Sequence, residues 1–196
     1  ISTSFNSDNL HVSFLNEDKT HVLTISADHV VFKKTSPDGR AAINTEKAYQ
    51  EFEVLWKKAD KILKFPAIRS IGIVAEFRLN EKQKHSASND LIKALVNVNA
   101  PDHSGRFHLS YEDKELMDNG EIPSKETDDY WNTNYTYYVS DRDETPEKGK
   151  INANLDVQKY YNPAKSNALA ELKKVKIRFI DKKKLFKASL KEMGFE

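Results

Sequence analysis

The side chains best suited to chemistry are a scatter of histidines, several close acidic pairs and a dense set of tyrosines. Of the six histidines, His11 and His21 stand on the two arms of an expected hairpin, and Asp28-His29 follows on the next strand. Imidazoles with a carboxylate are zinc ligands. No local spacing aims these groups at one point, so exposed strand and turn positions are the plainer reading, and no metal ligand is assigned. Asp128-Asp129 and Asp141-Arg142-Asp143 offer oxygens for magnesium or for general acid and base work, but they lie in turn-rich sequence. The chain has no P-loop, no G-x-G-x-x-G, no H-E-x-x-H and no G-x-S-x-G. No catalytic residue and no cofactor follow from it.

Aromatic residues are densest at Tyr130, Trp131, Tyr135, Tyr137, Tyr138, Tyr160 and Tyr161. On a sheet face such rings stack bases or line a ligand site. The residues between them are Asn and Thr and the flanks are acidic, which suits a half-buried sheet at least as well. Trp131, Tyr135 and Tyr137 are the binding candidates of this group. Charge is segregated along the chain. Lys173, Lys174, Lys176, Arg178, Lys182, Lys183, Lys184, Lys187 and Lys191 crowd the tail, while acids dominate Glu112 to Glu147. A basic helix attracts nucleic acid or an acidic protein, and Lys182, Lys183 and Lys184 are the candidates for that contact. The alternative is a solvated helix face balanced by the acidic stretch of the same chain.

These groups must be carried by elements that the residue pattern defines. The chain has 196 residues with 38% hydrophobic content, enough for one core, so a single domain over 1–196 is expected. Its formal charge of +1 supplies no global pull toward nucleic acid or an anionic membrane. The lack of cysteine removes disulfide and thiolate chemistry and fits a reducing compartment. With no apolar run of membrane-spanning length and no basic, apolar leader, a cytoplasmic protein is expected. The first residue is Ile, which is compatible with a trimmed N-terminus.

In Thr45 to Lys64, Ala48, Tyr49, Phe52, Leu55, Trp56, Ala59, Ile62 and Leu63 recur at helical intervals, and Phe65-Pro66 ends the pattern. After it Ile71, Ile73, Ala75, Phe77 and Leu79 alternate as a strand, expected to be central, with Phe52 and Trp56 packed on it. Ile1 to Asn9 reads as a loose lead-in. Three short strands follow, at Leu10 to Phe14, around Val22 to Ile25, and at His29 to Lys33. Beyond the central strand, Asn89 is expected to cap a helix over Asp90 to Val96. Arg106 to Tyr111 is a strand, and Glu112 to Asp129 an excursion. Tyr130 to Ser140 and the run around Ile151 to Val157 complete the sheet, closed by Asn162-Pro163. Ala164 to Gly194 reads as a helical tail, although Lys174 to Ile180 also alternates and Asp181 has the character of a cap. The expected class is α+β, a mainly antiparallel sheet packed by a long central helix and a C-terminal helix.

Several of these features resemble an uncharacterised family of sporadically distributed bacterial proteins. They are the Leu23 to Phe32 strand, the helix with Tyr49, Phe52 and Leu55, Ile68-Arg69-Ser70-Ile71-Gly72, Leu155-Asp156-Val157 and the Phe186 to Gly194 ending. Here Ile73-Val74-Ala75-Glu76-Phe77 stands where that family carries an Arg-rich continuation. The resemblance implies a fold and no activity. The function expected is a non-enzymatic intracellular binding module acting through the basic tail or the aromatic face. A hydrolase or nucleotide-processing enzyme using acids of the 128–156 region is an alternative, as is a small-ligand carrier.

Overall fold

Alternation of apolar and polar residues lets a strand bury one face, and it recurs through most elements of this α+β protein. In the computed structural model, residues 2–6, 11–37, 41–79, 87–98, 106–124, 126–140 and 150–195 are described. They form two compact units, Ile1–Phe65 and Pro66–Glu196.

The first unit is an antiparallel meander of β1 (Ser2–Asn6), β2 (His11–Leu15), β3 (His21–Ile25) and β4 (Val30–Lys34), followed by helix α1 (Thr45–Leu63). Ser2–Asn6, which reads as lead-in, instead pairs along the whole of β2, because backbone pairing needs no apolar side chains. The Asn44 side chain accepts from the Lys47 amide at 3.0 Å and caps α1. At the other end Lys64 takes a left-handed conformation, its amide donates to the Asp60 carbonyl, and the Phe65 amide donates to the Asp60 carboxylate at 3.0 Å. Where periodicity sets Phe52 and Trp56 against β5, their rings run along a ladder inside the first unit. Phe32 of β4 meets Phe52 at 5.9 Å, Phe52 meets Trp56 at 5.8 Å, and Trp56 meets Phe65 at 4.7 Å. No side chain of α1 is fully buried. Glu51 adds a polar tie, accepting from Lys34 at 2.6 Å and lying 3.3 Å from His21. Burial alone would raise the Glu51 carboxyl, but the Lys34 and His21 contacts outweigh it and hold the group below its ordinary value.

The second unit comprises β5 (Ile68–Arg78), α2 (Ala87–Val96), β6 (His108–Lys114), β7 (Tyr130–Ser140), β8 (Lys150–Lys165) and α3 (Ala168–Glu192). Its strands lie antiparallel in the order β5-β8-β7-β6. The strand expected at the centre, β5, is therefore an edge, and β8 and β7 occupy the middle. Alternation defines which face a strand buries, and pairing partners are set elsewhere in the chain. Ile151, Ala153, Leu155 and Val157 of β8 are completely buried, and Val175, Phe179, Phe186 and Leu190 of α3 are buried with them. Asn162-Pro163 lies inside β8, which runs on so that Ile68 pairs with Lys165; their peptide bond is cis. The α2 helix begins at Ala87, so Asn89 is a buried residue of its first turn and not its cap. Lys174 to Ile180 is helical, and Asp181 lies within one continuous α3. The apolar positions Leu172, Val175, Phe179, Phe186 and Leu190 share a face at helical spacing, and their burial decides against the local alternation.

Candidate functional site

The face of the second sheet that turns away from α3 is made almost wholly of polar residues. Register places Glu76 of β5, Asn154 of β8, Thr136 of β7 and Ser110 of β6 in one row. The next row is Val74, Asp156, Asn134 and Glu112, and the one after it Gly72, Gln158, Asn132 and Lys114. Tyr160 and Tyr130 lie beyond, with rings stacked at 4.8 Å, and Asn152 and Tyr138 lie at the opposite end. The period of two forces this arrangement: each apolar residue of β7 and β8 that enters the core hands the next one to the other face.

Hydrogen bonds knit these side chains to one another. Gln158 Nε2 donates to Asp156 Oδ2 at 2.5 Å, and the Tyr160 hydroxyl donates to Gln158 Oε1. Asn132 Nδ2 donates to Glu112 Oε2 at 3.2 Å and to Asn134 Oδ1 at 3.4 Å. The Tyr138 hydroxyl donates to Glu76 Oε1 at 2.8 Å, and burial followed by that bond pushes its pKa up to about 12. Gly72 sits opposite Gln158, where a Cβ would come within 2.9 Å of Gln158 Cγ and 3.2 Å of the Val157 carbonyl oxygen. Only a residue without a side chain lets Gln158 lie across the edge strand.

Among the described residues, three buried acceptor oxygens on this face have no hydrogen-bond partner: Asn132 Oδ1, Asn154 Oδ1 and Asp156 Oδ1. All three atoms are withdrawn from water, and Asn132 as a residue is only 5% exposed. Burial raises the Asp156 carboxyl above its ordinary value, and the bonds from Asn134 and Gln158 offset only part of that shift. A carboxyl raised in the folded state favours folding while protonated and loses that contribution as pH rises through its folded value. Asp156→Asn is accordingly expected to stabilise the protein at neutral pH, with the difference from the parent closing as the solution is acidified below the carboxylate range. The side-chain oxygen of the substituted residue still accepts from Gln158. Denaturant unfolding of both proteins across pH measures it, and an unstable variant at neutral pH would contradict the burial penalty.

The residues singled out by sequence lie elsewhere. Tyr137 is 2% exposed, and it and Tyr135 pack their rings on Phe186 of α3 at 5.8 and 5.5 Å. Trp131 shares that inward face beneath Lys159 and Arg178. Lys182 lies 3.1 Å from Asp113, Arg178 pairs with Glu115, and Lys183 spans the rings of Phe77 and Phe179 at 5.9 Å, where burial, followed by Lys187, lowers its pKa. Lys184 is exposed. The acidic stretch of the same chain thus meets the basic tail at two points. In the first unit His21 stands opposite Lys34, whereas His29 lies past the other end of that strand pair beside Asp28, so the two are not brought together. His11 pairs with Asn6. Among the described residues no group of three or more His, Cys, Asp or Glu is placed to hold a metal. Asp141 and Asp143 lie outside the described residues. Asn132, Asn134, Asn154 and Gln158 carry no signal in the sequence, because polar partners of an apolar alternation ordinarily just face water.

No protein-family model, no curated protein and no solved structure matches this chain. No helix among the described residues is long and apolar enough to cross a membrane.

Proposed function

We propose that the protein is a binding module whose second unit holds its target on the polar face of the β5-β8-β7-β6 sheet. The observation that carries this is the set of acceptors without a partner among the described residues in an otherwise interlocked polar layer, with Asn132 the most buried of the three residues. Polar groups withdrawn from water are ordinarily satisfied, and a ligand would supply the partners that the described residues do not. The basic end of α3 suits a docking role less well, since Lys182 and Arg178 already face acids of their own unit. Membership of the bacterial family suggested by sequence is a separate proposal and rests on that resemblance alone.

The test is amide chemical-shift mapping on the full chain against a panel of sugars, polyols, amines, nucleotides and phosphate. Saturable shifts at Asn132, Asn134, Asn154, Asp156 and Gln158 are expected with at least one compound class. Shifts confined to Lys182, Lys183 and Lys184, or none at all, would refute the reading.

A further inference from the structure

A sheet edge presents a row of backbone donors and acceptors to whatever strand comes next, and proteins ordinarily blunt such rows with short strands, lysine, proline or bulges. Among the described residues four strands lie at an edge, β1 and β4 of the first sheet and β5 and β6 of the second. β1 and β4 have five residues each, and β4 ends on Lys33-Lys34. β6 has seven and carries Glu112-Asp113-Lys114. β5 has eleven, with no lysine and no proline. Its one irregularity lies at its start, between Ile68 and Ser70, and from there to Arg78 the register with β8 is unbroken. Of the four it alone combines length with a lack of these devices along most of its course.

The Leu79 amide, just past the end of β5, donates to the Ile151 carbonyl of β8 at 3.0 Å. Backbone groups of a strand alternate sides, so those of Phe77, Ala75 and Ile73 also turn to β8, and those of Glu76, Val74 and Gly72 turn outward. All three of the latter residues are exposed. The apolar row on the α3 side is unfinished at this edge: Ile73, Ala75 and Phe77 are only partly buried, whereas their β8 partners Val157, Leu155 and Ala153 are wholly buried. An added strand satisfies the outward backbone groups and covers that row. Charge selects the strand. Lys183 of α3 lies 5.9 Å over the Phe77 ring, and Lys187 is the neighbouring charge that acts on it. A second copy of β5, paired antiparallel about Ile73 so that the strands overlap in full, sets Arg69 opposite Phe77 and brings like charge beside Lys183. We infer that β5 takes an extended segment of a partner protein as a further strand of this sheet, with apolar residues on the α3 side and a carboxylate opposite Phe77, where Lys183 and Lys187 attract it.

Amide shift mapping on the full chain with the peptide acetyl-Glu-Thr-Val-Thr-Val-Thr-Val-amide tests this. Antiparallel pairing sets its Glu opposite Phe77, its valines opposite Ala75, Ile73 and Ile71, and its threonine amides toward the outward groups of Glu76, Val74 and Gly72. Saturable shifts centred on those three amides of β5 are expected, with slower hydrogen exchange there. Lys in place of the peptide Glu should weaken binding by about fivefold or more. N-methylation of the three threonines should abolish binding, whereas N-methylation of the valines, whose amides face away from β5, should be tolerated. Lys183→Gln combined with Lys187→Gln should erase the preference for the Glu peptide over the Lys peptide, a ratio taken on one protein and so independent of the variant's stability. No shift on β5 at peptide concentrations up to about 1 mM would overturn the inference. Equal binding of the Glu and Lys peptides to the parent would overturn the acidic partner, and indifference to threonine N-methylation would overturn strand addition. Shifts of the same amides with protein concentration alone would overturn the partner in favour of a second copy of this chain.

Discussion

Phe186→Ala is expected to destabilise the second unit by about 3 to 5 kcal/mol, the cost of emptying a large aromatic site in a packed core. Phe186 is 3% exposed and joins two strands to α3: its ring meets Phe77 of β5 at 5.6 Å, Tyr135 at 5.5 Å and Tyr137 at 5.8 Å, both on β7. Removing it leaves a cavity between strands that pair only through β8, so relaxation to refill the space is limited. Leu185, next in sequence and 68% exposed, is the control, and Leu185→Ala should change stability by no more than about 0.5 kcal/mol. Denaturant unfolding monitored by far-ultraviolet circular dichroism measures both. Equal effects would mean that α3 does not present this face to the sheet.

Trp56→Ala should cost the first unit about 2 kcal/mol, less than a core tryptophan because no α1 side chain is fully buried, yet large for so small a unit. Trp56 is an inner rung of the ladder from Phe32 to Phe65, and its loss breaks two ring contacts at once. Amide hydrogen exchange along α1 and at β4 should accelerate by the corresponding factor. Ile62, 78% exposed on the same helix, provides the comparison: Ile62→Ala is expected to leave exchange unchanged. A Trp56 variant with parental protection would show that the aromatic ladder does not hold α1.

The α1 boundaries, the inward face of β5 and the inward face of β7 with Trp131, Tyr135, Tyr137 and Val139 were all legible in the sequence. Each depends on a local period, and a period states which side chains share a face without reference to anything distant. The α+β class followed from the order of those elements. Local patterns did not reveal that β1 exists, that β5 is an edge, or that α3 is continuous through Lys174 to Ile180. The first two are pairing facts, and the third is settled by the burial of Val175 and Phe179. The candidate site shows the same division. Sequence alone determined that Asn152, Asn154, Asp156 and Gln158 alternate with the buried residues of β8, and so share the opposite face. Only the tertiary structure decided that β7 lies beside them in the register that sets Asn134 against Asp156 and Asn132 against Gln158, turning solvent-facing polar residues into one lattice with vacant acceptors. Strand register is chosen by the whole core that the opposite face must fill, and no stretch of the chain contains that information by itself.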